Sequence, residues 1–285
     1  MNVYKTLTPM LLSTAILLCA ASAIGQEAAK EEPPKPFPGG SGKFTKLVWF
    51  DEFDKDGLPD STKWNYEKGY IRNRELQYYT VARKENAEVK DGNLIITARR
   101  DNAEIDGEVR EITSASLTTR GKGDWQTGRI EVRAKVPPGL GTWPAIWMMP
   151  TQSKYGGWPR GGEIDIMEYV GYEPNKIHFF LHTSKYNHTR GTGRGTSITV
   201  DNPKPHENFH VYAVEWFEDR IDWFMDDKKV YTVLNNEPGW EAWPFDQDFY
   251  LILNFAFGGA WGATRGVNRD LLPLEYRIDY VRIFQ

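Results

Sequence analysis

Apolar residues along this chain fall into short runs, many alternating with polar ones, and each run stops at Gly, Pro, Asp or Asn. Such runs occupy 47–50, 93–98, 128–135, 163–170, 177–182, 210–217, 220–225, 250–255 and 277–284. Between them stand turn signals: Asp91-Gly92, Pro137-Pro138-Gly139, Asp226-Asp227 and Gly258-Gly259. Strands at this spacing, with almost no helical periodicity, predict an all-β antiparallel sandwich or barrel. The run Glu131-Val132-Arg133-Ala134-Lys135-Val136 alternates charged and small apolar residues, which predicts a strand with one wet face. No internal repeat is present.

The amino-terminal residues break this pattern. An apolar stretch runs from Met10 to Ala23, with Lys5 as the one charge before Glu27 and small residues at 21–23. It is too short for a stable span and reads as a secretory signal over residues 1–25. Secreted or periplasmic localisation follows. The single cysteine, Cys19, lies inside it and follows Leu18, which disfavours lipid attachment there. A processed chain then has no disulfide and relies on its core or on a metal. Residues 26–43 are rich in Glu, Lys, Pro and Gly and lack apolar periodicity, so they read as a linker with little structure of its own. The β pattern defines a domain over 44–285.

Composition narrows the classes. With 40% hydrophobic and 26% charged residues the chain can bury a core, and it is too polar for a multi-span membrane protein. A net charge of −4 argues against a nucleic-acid partner. The chain is read as a monomer without membrane attachment after processing. The unusual component is aromatic, with 11 Trp, 14 Tyr and 14 Phe; some must line a core, but so many Trp also suit a surface that stacks on flat rings.

The chemistry concentrates in Gly162-Glu163-Ile164-Asp165-Ile166-Met167-Glu168-Tyr169. Side chains alternate along a strand, so Glu163 and Asp165 share one face while Ile164 and Ile166 enter the core. Strict alternation would drive Glu168 into the core, where an unpaired carboxylate is costly. A β-bulge near Met167 would return it to the Glu163 face. Three like charges on one row, with no Lys or Arg between them, do not favour stability. Two carboxylates flanking one bond are the equipment of glycoside hydrolysis. We assign Glu163 as nucleophile, Glu168 as acid/base and Asp165 as the group that orients Glu163.

This segment resembles the active-site strand of glycoside hydrolase family 16, in the bulged form of laminarinase-like β-glucanases. Similar likenesses occur at Glu75-Leu76-Gln77-Tyr78-Tyr79-Thr80, at Gly141-Thr142-Trp143-Pro144-Ala145-Ile146-Trp147-Met148-Met149-Pro150 and at Ile278-Asp279-Tyr280-Val281-Arg282-Ile283. The resemblance implies a β-jelly-roll sandwich with a concave substrate cleft and retaining endo-hydrolysis of β-glucans or related galactans. It carries the roles of Glu163, Asp165 and Glu168 over unchanged.

Sugar contacts are expected from Trp143, Trp158, Trp261 and Asn73. Trp143 faces the cleft by resemblance; Trp147 is left open between cleft and core. Trp158 precedes the active strand by five residues, and Trp261 sits in a Gly-rich loop. Asn73 and Glu75 resemble the cleft-rim loop. His182 is placed against sugar or a catalytic carboxylate, with a structural histidine as the alternative. His178 and His182 lie in a buried strand, not a metal-binding helix. The stretch 190–195 lacks the lysine and helix of a phosphate loop and reads as a loop flanking the cleft. No cofactor is required for catalysis. The resemblance implies a structural calcium at Glu52, Gly92 and Asp279, and oxygen ligands suit that ion. The expected substrate is β-1,3 or mixed β-1,3/1,4 glucan. A galactan hydrolase is the nearest rival, and a carbohydrate-binding lectin-like domain is the rival without catalysis.

Overall fold

The computed structural model describes residues 33–285 besides Met1. The expected signal, Cys19 and the first part of the expected linker lie outside the described residues. The domain is a β-jelly-roll sandwich of two sheets. One has eight strands, ordered Arg194–Thr199, Lys176–His182, Glu163–Glu168, Thr142–Pro150, Phe249–Phe257, Ser116–Thr118 and Asn65–Tyr66, with Asp124–Trp125 paired beside Phe249–Phe257. The other has ten strands, with Gly128–Lys135 and Leu274–Phe284 at its centre. Pairing is antiparallel except where Tyr78–Tyr79 runs parallel to Glu108–Ser114. Each of the nine runs read from the sequence overlaps a strand; Asn93–Ile105 extends seven residues past its run, while the strands in 163–170 and 210–217 stop at Glu168 and Trp216.

Alternation explains how the sheets pack. In Lys176–His182 the side chains of Ile177, Phe179 and Leu181 are fully buried in the shared core, while His178, Phe180 and His182 lie on the outer face. In Thr142–Pro150 the core receives Ile146 and Met148, and Trp143 and Trp147 stand outside. Each buried large apolar side chain is worth about 1.5–3 kcal/mol, so the faces cannot exchange. The outer face of the eight-stranded sheet is the one left for a ligand.

Two expectations need correction. The segment before residue 44 is no loose linker over its last part. The Phe37 N–H donates to Glu131 Oε2 at 2.9 Å, and the Ser41 N–H donates to both oxygens of Glu215 at 3.0 Å. Gly39 has φ +93° and Gly40 lies so close that a Cβ would meet Glu215 at 2.4 Å. Glycine therefore suits both positions of this strap. For the same reason the strand Gly128–Lys135 has no wet face at its first half. Arg129 and Glu131 are both 0% exposed, because the strap and Tyr280 cover them.

Candidate active site

The strand Glu163–Glu168 carries the expected bulge. Against Thr142–Pro150, Asp165 pairs with Trp147 and Met167 with Ile146, so Ile166 is the extra residue. Ile164, Ile166 and Met167 are all fully buried. The bulge spends two successive residues on the core and thereby brings Glu168 back to the outer face. There Glu168 Oε1 accepts a hydrogen bond from Trp143 Nε1 at 3.0 Å. Glu163 and Glu168 are partly open, while Asp165 between them is only 2% exposed.

Neighbouring strands set the surroundings. His182 stands opposite Glu163, and His178 opposite Glu168. His182 Nε2 is 3.3 Å from Asp165 Oδ2 and 3.7 Å from Glu163 Oε1. Among the described residues it is the one basic side chain ion-paired with Glu163 and Asp165. Trp223, buried in the core, donates from Nε1 to the Asp165 carbonyl at 2.9 Å and pins the bulged strand from below.

Burial and like charge dominate the electrostatics. Glu163 is pushed up to about 8 by burial, then by the charge of Asp165. Glu168 is pushed up to about 7 by burial, with the Trp143 hydrogen bond opposing it. Asp165 is held well above the carboxylate range by burial and by Glu168. Before substrate binds, the cluster therefore retains protons at neutral pH. The order of the two glutamates is the reverse of what a nucleophile and an acid require. A neutral Asp165 would remove the charge that opposes an ionised Glu163, but not the larger effect, burial.

The aromatic residues gather around these acids. The Trp261 ring stands nearly perpendicular to Trp143 (5.6 Å between centroids) and His178 (4.8 Å). It forms a wall beside Glu168. Its glycines fold into one helical turn, Gly259–Gly262, not the loop expected. Trp158 is 40% exposed and packs near His182 and His188. Trp147 belongs to the outer face and donates from Nε1 to Asn254 Oδ1 at 2.7 Å. Asn73 is exposed at φ +55°; its amide donates to Glu75 Oε1 at 3.2 Å and its carbonyl accepts from the Ala260 N–H at 2.8 Å. The rim loop and the Trp261 turn are thus tied together. The expected flanking loop is shorter than read, because Arg194 and Gly195 begin a strand.

The sequence reading missed the polar chain behind Trp147. Asn254 Nδ2 donates to the Tyr79 hydroxyl at 2.9 Å, and Tyr79 donates to Glu75 Oε2 at 3.2 Å. The Glu75-Leu76-Gln77-Tyr78-Tyr79 segment was its visible signal; the partner strand was not.

The calcium residues do not fit a cation as they stand. Both Glu52 oxygens accept from Arg282 at 2.8 Å, and Asp279 is ion-paired with Arg133. Gly92, at φ +71°, closes a hairpin with Asp91. Each of these two carboxylates is thus already partnered by a guanidinium. Elsewhere Glu163, Asp165 and His182 offer ligand atoms within 4.8 Å of one another, but these are the acids of the candidate site.

A sandwich carrying paired carboxylates on an aromatic-lined outer face defines a glycoside hydrolase. The chain belongs to glycosyl hydrolases family 16, whose family model matches residues 74–282. It is 47% identical over 291 residues to a β-glucanase of Rhodothermus marinus, covering 98% of this chain and 96% of that protein. The solved laminarinase of Rhodothermus marinus superposes with a TM-score of 0.80 at 51% identity, over 84% of this chain and 97% of that one. SCLam, a non-specific endo-β-1,3(4)-glucanase, superposes with a TM-score of 0.80 at 41% identity, over 89% and 94% of the two chains.

Proposed function

We propose that this protein is a secreted endo-β-glucanase that cuts β-1,3 or mixed β-1,3/1,4 glucan with retention of configuration. The observation that carries the reading is the bulge at Ile166, which leaves Glu163, Asp165 and Glu168 together on one open face beside Trp143. The activities named for its relatives support the substrate class. The apolar amino-terminal stretch supports export.

In the first step a Glu163 oxygen bonds to the anomeric carbon as the glycosidic C–O bond breaks, and Glu168 gives its proton to the leaving oxygen. Esterification removes the charge of Glu163, which lowers the proton affinity of Glu168. Glu168 then takes a proton from water, whose oxygen bonds to the anomeric carbon while Glu163 leaves as carboxylate. Asp165 orients Glu163, and His182 holds Asp165. Trp158, Trp261 and Asn73 contact the flanking sugars.

The test is product analysis on laminarin, barley β-glucan, lichenan, agarose and carrageenan, with NMR of the first product formed. Oligosaccharides from the first three, born as β anomers, are expected. Cleavage of the galactans alone would move the substrate class. An α anomer as first product would sink the covalent route through Glu163.

A further inference from the structure

The open face carries a second charged group that the mechanism above leaves unused. The guanidinium carbon of Arg72 lies 4.9 Å from the centroid of the Trp147 ring. Trp147 is the residue opposite Asp165 in the neighbouring strand. Arg72 Nη2 is ion-paired with Glu67, and the other Glu67 oxygen accepts from Ser116 Oγ at 2.6 Å. Arg72 Nη1 is enclosed and has no acceptor in the protein. Both side chains of the pair remain 20% exposed.

Three points follow from this arrangement. First, adjacent strands lie roughly 4.8 Å apart, so a glycan crossing the strands reaches Arg72 about one or two rings from the reacting bond. Second, a charged donor without an acceptor is a cost that a sugar hydroxyl removes, after a small turn of the guanidinium. Third, Glu67 cancels the charge of Arg72. A sulfate or carboxylate brought to this place would meet the Glu67 anion, while a neutral hydroxyl would not.

We infer that Arg72, held over Trp147 by Glu67, is a specificity-determining residue that hydrogen-bonds a hydroxyl of the neutral hexose next to the reacting one, and that the pair disfavours an anionic sugar there. The inference rests on the glucanase reading and sharpens its substrate class.

The experiment uses the full chain and the variants Arg72→Lys and Glu67→Gln. Lysine keeps the charge but loses the planar stack and fork. For Arg72→Lys, KM on laminarin rises about tenfold while kcat changes far less. Across laminari-oligosaccharides the penalty appears only once the chain is long enough to cover Trp147. A merely structural role would penalise every length alike. For Glu67→Gln, the preference for laminarin over carboxymethylated β-1,3-glucan narrows at least about threefold. An unchanged KM for a folded Arg72→Lys, or a penalty independent of length, overturns the inference. Should Arg72→Lys fail to fold, an unaltered preference in Glu67→Gln overturns it instead. A wild-type protein that leaves laminarin and mixed-linkage glucan uncut sinks the glucanase reading itself, a result distinct from either.

Discussion

Glu131 and Glu215, on the ten-stranded sheet, are as deeply enclosed as Asp165 on the other: 0%, 1% and 2% exposed. Their environments are opposite. Glu131 accepts from Arg129 Nε at 2.9 Å, from the Tyr280 hydroxyl at 3.1 Å and from the Phe37 N–H. Glu215 accepts from Arg129 Nη1 at 3.4 Å and from the Ser41 N–H. Asp165 Oδ2 has no hydrogen-bond donor, and its nearest basic group is His182. One cluster is charge-paired and donor-rich; the other is a set of acids facing one another. Burial is the same, so compensation distinguishes a structural cluster from a chemical one. A protein that leaves three acids short of partners at its centre is holding a strained charge state that a substrate can use.

The largest effect tests the uncompensated cluster. Glu163→Gln is expected to lower kcat by roughly 10⁴-fold or more, read on laminarin. The same change removes a repelling acid, so it should raise thermal stability. Its pH dependence has a definite sign. The ordinary value for Glu163 is 4.5 and the folded one about 8. Between those limits the folded protein binds more protons than the unfolded chain, so this group takes stability away as pH rises. The Tm advantage of Glu163→Gln over wild type should therefore grow from pH 5 to pH 8. A constant difference would mean that Glu163 is not held in its neutral form by the fold.

The compensated cluster should respond in reverse. Arg129→Met leaves two buried acids without their cation, at a cost of about 3–5 kcal/mol. Denaturant unfolding would read that loss, while kcat per folded molecule stays near wild type. A smaller loss, about 1–3 kcal/mol, is expected on deleting the chain through Ser41, because the strap takes two backbone donors with it. If that deletion leaves the unfolding midpoint in place, the strap only covers the cluster and does not hold it.

Legibility divides along the same line. The active strand and its bulge were readable because the cause is local: Glu168 falls out of phase with Glu163 within six residues, and a carboxylate will not enter the core. The Asp165 support from Trp223, 58 positions away, was not readable. Glu131 was read as part of a wet face because its cover comes from residue 37, more than ninety positions earlier. Glu52 and Asp279 looked like free oxygen ligands because the arginines that neutralise them lie on other strands or across a pair. Arg72 was passed over because nothing in its own segment shows Trp147 beneath it. Periodicity reports which face a residue takes; partners from distant strands decide what it does there.

The smallest effect separates the two roles of Trp143. Trp143→Phe keeps an aromatic ring beside Glu168 and Trp261 but removes the Nε1 donor. That donor favours the ionised form of Glu168, so its loss pushes the group further above about 7. In its proposed role as acid Glu168 must be protonated, so activity is expected to fall at high pH as it ionises. The alkaline limb of the kcat/KM profile should therefore move up by about one pH unit, in line with one lost hydrogen bond to a charged group. KM should rise only a few-fold, since the ring remains. A limb that stays in place would show that the alkaline fall belongs to another member of the cluster. Glu163 or Asp165 would then set the working pH range, and the three acids would have to be treated as one titrating unit.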